Sequence, residues 1–206
     1  MHILKAIAVC GLVVVLSSLS SSAGTVLQTP EQDEAAAKAS IAALSDAERA
    51  QLKSFSDHVK AYVNMQKQLP PYKLTPSKDV AQLEQKRKAL RDGLQKARPN
   101  AKQGNLFTPE VAPVFRKLLR STMNGPEGQQ IRTSLSRAEP NTPRSLAVNA
   151  PYPNMDGQPL QSVPPTLLLN LPVLPKGVEY RVTGHTLALR DSDANMVVDY
   201  LPDALP

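Results

Sequence analysis

The chain has 206 residues, with 24 Lys+Arg against 18 Asp+Glu, one cysteine and no tryptophan. That length suits one domain or two small ones with an apolar core, and a lone Cys10 excludes an internal disulfide or a cysteine metal cluster. Nineteen prolines, with only five Tyr and three Phe, argue against a large sandwich or barrel.

The N-terminus has the layout of a secretory signal. Lys5 supplies a positive start, Ala6–Leu16 is apolar, and Ser21-Ser22-Ala23 offers small residues before a cut at Gly24. The apolar run is shorter than the ~20 residues a membrane span needs. Residues 1–23 are therefore expected to be a cleaved signal peptide, leaving a soluble periplasmic or extracellular protein with no transmembrane span. That location excludes nucleic-acid partners and nucleotide-driven chemistry, and neither G-x-x-x-x-G-K nor G-x-G-x-x-G occurs.

Residues 24–138 are rich in helix formers and are expected to be a helical region. Glu31–Leu44 predicts a weakly amphipathic first helix. Ser45-Asp46-Ala47-Glu48 is a capping box opening a second, on which Leu52, Phe55, Val59, Tyr62 and Val63 share one face until Pro70-Pro71. A third helix is expected from Ser77 to Ala97, with Val80, Leu83, Leu90, Leu94 and Ala97 as its seam. Arg87 occupies the polar seam position, where it either pairs with a carboxylate or marks a face that meets a partner. Thr108-Pro109 predicts a fourth start, with Pro113 bending the helix of Val114, Phe115, Leu118 and Leu119. Asn124-Gly125 stops it, and Pro126 starts a fifth helix with Ile131 and Leu135.

Residues 139–206 read as a Pro-rich lead-in and a small β-sheet packed on the helices. Leu146–Val148 is a candidate strand, and Leu167–Leu171 a short helix or buried run. Val178–Val182, His185–Leu189 and Met196–Leu201 are β-rich runs whose turns fall at Thr183-Gly184 and Asp191–Asn195. The expected fold class is α+β, an N-terminal helical bundle followed by a small antiparallel β-meander. Val182, Leu187, Leu189, Val197 and Tyr200 are its expected buried members.

The segment Leu160-Gln161-Ser162-Val163-Pro164-Pro165-Thr166-Leu167-Leu168, then Leu171-Pro172 and Leu174-Pro175, resembles a family of uncharacterised exported bacterial proteins. Glu179-Tyr180-Arg181, Leu187–Asp191 and Ala194–Asp199 with Pro202 share the likeness, as does Phe107-Thr108-Pro109-Glu110-Val111-Ala112 in the helical part. The resemblance implies export and a shared architecture, and it brings no functional residue with it.

Chemistry-bearing patterns are sparse. Asp191, Asp193, Asn195 and Asp199 match four positions of a calcium loop, but Met196 replaces its glycine and Pro202 its bidentate glutamate. They read instead as a polar turn, and no metal or cofactor is expected. His58 and His185 have no zinc motif or nucleophile context, and nothing selects a catalytic pair among Glu110, Glu127 and Glu139. Residues 53–144 hold 18 basic and 7 acidic residues, which makes Lys86, Lys88 and Arg91 candidate contacts for an anionic surface. Against this, Glu84–Lys88 and Asp92–Lys96 have the spacing of ordinary solvated helix pairs. The expected function is a non-enzymatic binding or scaffold protein of the bacterial cell envelope, its partner an envelope protein or an anionic surface. The alternative is an envelope hydrolase whose catalytic groups meet only in the fold.

Overall fold

The computed structural model describes residues 38–39, 41–70, 79–138, 145–153 and 163–206. The expected signal segment, most of the Glu31–Leu44 helix and Glu139 lie outside them. The described elements run α1 (Asp46–Gln66), α2 (Val80–Ala97), α3 (Ala112–Asn124), α4 (Gly128–Ala138), α5 (Pro165–Leu168), β1 (Val178–Thr183), β2 (Thr186–Asp191) and β3 (Met196–Leu201). The fold is α+β, with the helices preceding a three-stranded antiparallel sheet of order β1-β2-β3.

The capping box forms as expected: Glu48 N–H donates to Ser45 Oγ at 3.2 Å and Ser45 N–H to Glu48 Oε2 at 2.7 Å. The Lys117 ammonium, with the Ser45 amide, holds the Glu48 carboxyl down at about 2. Phe55, Val59, Tyr62 and Val63 of α1 are buried. All three phenylalanines meet, with ring centroids 4.7–5.4 Å apart, and Phe115 also faces Tyr180 of β1 at 6.3 Å. Helices and sheet therefore share one aromatic core, and such pairs add to the burial itself.

Several expected boundaries move. The third helix begins at Val80, capped by Asp79, whose side chain accepts from Gln82 N–H at 3.0 Å. Its seam is only half used: Leu90 and Leu94 are buried, but Val80 is 71% exposed. Thr108 does not cap α3. It heads a separate turn, accepting from Val111 and Ala112 N–H, and α3 starts at Ala112. Pro113 thus lies in the first turn, where a missing N–H costs nothing, and it does not bend a helix interior. Helix α4 begins at Gly128 rather than Pro126. There a Cβ would lie 1.8 Å from the Met123 carbonyl oxygen, an approach only glycine allows.

In the sheet, the first hairpin pairs Thr183 with Thr186, so its turn is Gly184-His185, one residue later than expected. Leu146–Val148 is not a strand. The segment just after it lies along the β3 edge: Asn149 N–H donates to the Val197 carbonyl, Val197 N–H to Ala150, and Tyr152 N–H to Asn195. The sheet is buried on both sides. Val182, Leu187 and Leu189 join the main core, whereas Val197 and half-buried Tyr200 pack with Leu146, Tyr152 and Ala188 on the opposite face.

A register shift at Leu189/Arg190 pairs Leu189 with Asp199 but Arg190 with Val197. The extra residue is Val198. In plain alternation Asp199 would share the face of Val197, two residues before it; the bulge moves it to the helical side. There its carboxylate accepts four backbone N–H groups: Gly104 and Tyr200 at Oδ1 (2.9 and 2.8 Å), Leu106 and Phe107 at Oδ2 (2.6 and 2.9 Å). Asp191 does similar work at the other end. Its Oδ2 accepts from Tyr62 Oη at 2.6 Å and Gln66 Nε2 at 2.7 Å, and its Oδ1 from the amides of Asp193 and Ala194. Two fully buried carboxylates thus bolt the sheet to α1 and to the loop before α3.

Candidate functional site

The four oxygen-bearing residues of the calcium-like spacing do not converge. Asp191 caps its own turn, as a polar turn requires, and Asp199 points away into the 104–107 loop. Asn195 adopts the left-handed conformation (φ 46°) and accepts Arg190 Nε at 2.8 Å. Among the described residues no cluster of three His, Cys, Asp or Glu could hold a metal ion.

The candidate anionic-surface residues are drawn into other contacts. Lys88 pairs with Asp92 at 2.7 Å, and Arg91 donates to the Ala194 carbonyl at 2.6 Å, tying α2 to the β2–β3 turn. Lys86 is half-buried. The expected pairs Glu84–Lys88 and Asp92–Lys96 are replaced by Glu84–Arg87 at 2.6 Å and Lys88–Asp92. Arg87 thus meets a carboxylate of its own helix, leaving its Nε buried without a partner among the described residues.

His185 Nδ1 lies 3.2 Å from the Leu205 carbonyl. His58 is exposed on the rim of a depression of about 500 Å³ between α1 and residues 97–106. Its polar floor is committed to structure: the Arg98 guanidinium sits 5.0 Å over the Tyr62 ring and donates to Val198 and Asn149. Glu110 is exposed, its carboxyl held below the usual range by its bond to Thr108.

An apolar concavity lies elsewhere, along β1. One wall is Val163, Leu168, Leu171, Pro172, Val173 and Leu174; the other is Val178, Glu179, Tyr180 and Arg181. The space is about 410 Å³, within the range of small-molecule sites. Three prolines, Pro164, Pro165 and Pro172, limit the backbone freedom of the first wall. Tyr180 Oη donates to the Pro172 carbonyl at 3.0 Å and joins the walls. Burial raises the Tyr180 pKa well above the ordinary tyrosine value, so the hydroxyl stays a donor. Val173 stands on the lip, 95% exposed.

The polar groups at this groove are ionic and paired. Glu179 Oε1 accepts Arg181 Nε at 3.0 Å and Nη2 at 2.8 Å, and also pairs with Arg190 Nη1. Nothing in the sequence marks the groove, because Leu167–Leu171 looks like a plain core run. In the fold Leu167 is fully buried, while Leu168 lines the opening. No known protein family, curated protein or solved structure matches this chain.

Proposed function

We propose that this chain is an exported, soluble, non-enzymatic binding protein of the bacterial cell envelope, and that its ligand lies in the groove beside β1. The preformed apolar groove carries the reading. Its walls are set before any ligand arrives, by strand pairing on one side and by prolines and the Tyr180 bond on the other. A rigid site loses less entropy on binding. A binder is favoured over a hydrolase because the groove's charged groups pair with each other and its hydroxyl bonds to a backbone carbonyl. Export is supported by the Lys5–Ala23 pattern, and among the described residues no helix is long and apolar enough to cross a membrane.

A neutral apolar dye such as Nile red tests the groove. Its fluorescence should rise on mixing with the protein, and Val173→Asp should weaken binding about tenfold. The melting temperature should not change, because Val173 contributes almost nothing to the core. Equal binding by variant and wild type would place the dye elsewhere. Mass spectrometry of the native protein should find Gly24 at its N-terminus; retention of Met1 would contradict export by cleavage.

A further inference from the structure

The two edges of the sheet differ. The β3 edge is covered: residues 149–152 bond along it, and Pro151 bridges to Met196. The β1 edge has no further strand beside it among the described residues, and it borders the groove. An antiparallel ladder turns the backbone groups of successive residues alternately toward and away from the partner strand, and two bonds fix the phase here. Ser192 N–H donates to the Gly177 carbonyl at 2.9 Å, so Gly177 faces β2; Val178 N–H donates away from β2, to the Pro175 carbonyl at 3.2 Å. Counting on from there, Glu179, Arg181 and Thr183 use their backbone groups on β2, while Tyr180 and Val182 turn theirs outward. Among the described residues nothing accepts from the Tyr180 N–H or donates to its carbonyl. Yet Tyr180 is only 7% exposed and lines the groove. Buried backbone groups are nearly always paired, so a donor and an acceptor side by side at an apolar groove point to a ligand that supplies both.

We propose that the groove takes an extended stretch of polypeptide, which adds to β1 as a further antiparallel strand. This rests on the groove being the ligand site. One ligand residue stands opposite Tyr180, its carbonyl accepting the Tyr180 N–H and its own N–H donating to the Tyr180 carbonyl. Directly opposed residues put their side chains on the same face of a sheet. On the Tyr180 face, Leu168 and Leu174 pack against the main core, so the opposed ligand residue is a large apolar one. A fatty or aromatic ligand would fill the same walls and leave both backbone groups unpaired.

Displacement of bound Nile red by N-acetyl-Ala-Leu-Ala-amide, on the protein from Gly24 onward, tests this. The control is the same peptide N-methylated at its leucine, which keeps the apolar surface and loses the N–H meant for the Tyr180 carbonyl. The unmodified peptide should displace the dye at about tenfold lower concentration, the scale of one lost hydrogen bond. Amide hydrogen exchange gives a second readout. Exchange at Tyr180 should slow about tenfold or more at saturating peptide and stay unchanged with decanol, while the Arg181 amide, already bonded to β2, should not respond. Equal displacement by the two peptides, no displacement by either, or a Tyr180 amide unmoved by the peptide would overturn strand addition while leaving the groove as a site for the dye. Absence of dye binding together with an unmoved Tyr180 amide would overturn both.

Discussion

Replacing Asp199 with alanine should lower stability by about 3–5 kcal/mol, because four backbone donors lose their shared acceptor at once and each orphaned donor costs about 1–3 kcal/mol before water relieves it. Three of the four lie in the loop ahead of α3, at Gly104, Leu106 and Phe107. That loop carries Phe107 into the aromatic core, so its loosening spreads to α1 and α3. For a chain of this size the melting midpoint should fall by roughly 10 °C. Asp199→Asn keeps one acceptor oxygen but sets an amide N–H against backbone N–H groups, and should fall between alanine and wild type. Thermal melts followed by circular dichroism check both. A midpoint for Asp199→Ala within a degree or two of wild type would show that the loop is held by packing alone.

Asp191→Ala should cost a comparable amount, about 3–4 kcal/mol, since Tyr62, Gln66 and two turn amides lose their partner. The Asp191 site also carries a pH dependence. Burial, partly opposed by the Tyr62 and backbone bonds, raises the Asp191 pKa above its ordinary value of 3.8. The folded state therefore holds this proton more tightly than the unfolded chain. The resulting stability is fully present below about pH 3.8 and is lost as pH rises through the raised folded value. Asp191→Asn is neutral throughout, so the wild-type advantage over it should be smallest near pH 7 and grow as the solution is acidified. An advantage that shrinks on acidification would show that the hydrogen bonds outweigh burial.

The features legible in the sequence are those decided by near neighbours. Ser45 and Glu48 sit three residues apart and cap α1 with no help from the rest of the chain. The spacing of Phe55, Val59, Tyr62 and Val63 states which face of α1 is buried. The meander follows from β-rich runs around a glycine turn. What could not be read depends on distant partners. Val80 continues the heptad of Leu90 and Leu94, yet it stands exposed, since periodicity names a face and not how far the partner extends. Asp199 looks like a turn or solvent residue until a one-residue bulge, for which the local sequence has no signal, turns it inward. The groove has the same character. Its walls come from either side of the Lys176-Gly177 turn, and the apolar residues of 163–174 divide between core and opening only once β1 is beside them. Arg87, odd in the seam, pairs with Glu84 of its own helix, whereas Arg181 and Arg190 meet on Glu179 only through the strand pairing that joins Glu179 to Arg190.

The most direct test of the account is a ¹H–¹⁵N correlation spectrum of the protein from Gly24 onward, titrated with a neutral apolar probe such as decanol. Shifts should concentrate at Leu168, Val173, Leu174, Glu179 and Arg181 and saturate together, with the amides around His58 and Asn100 unmoved. Saturating shifts confined to the His58 depression, or a spectrum that does not change, would contradict the assignment of the β1 groove as the ligand site.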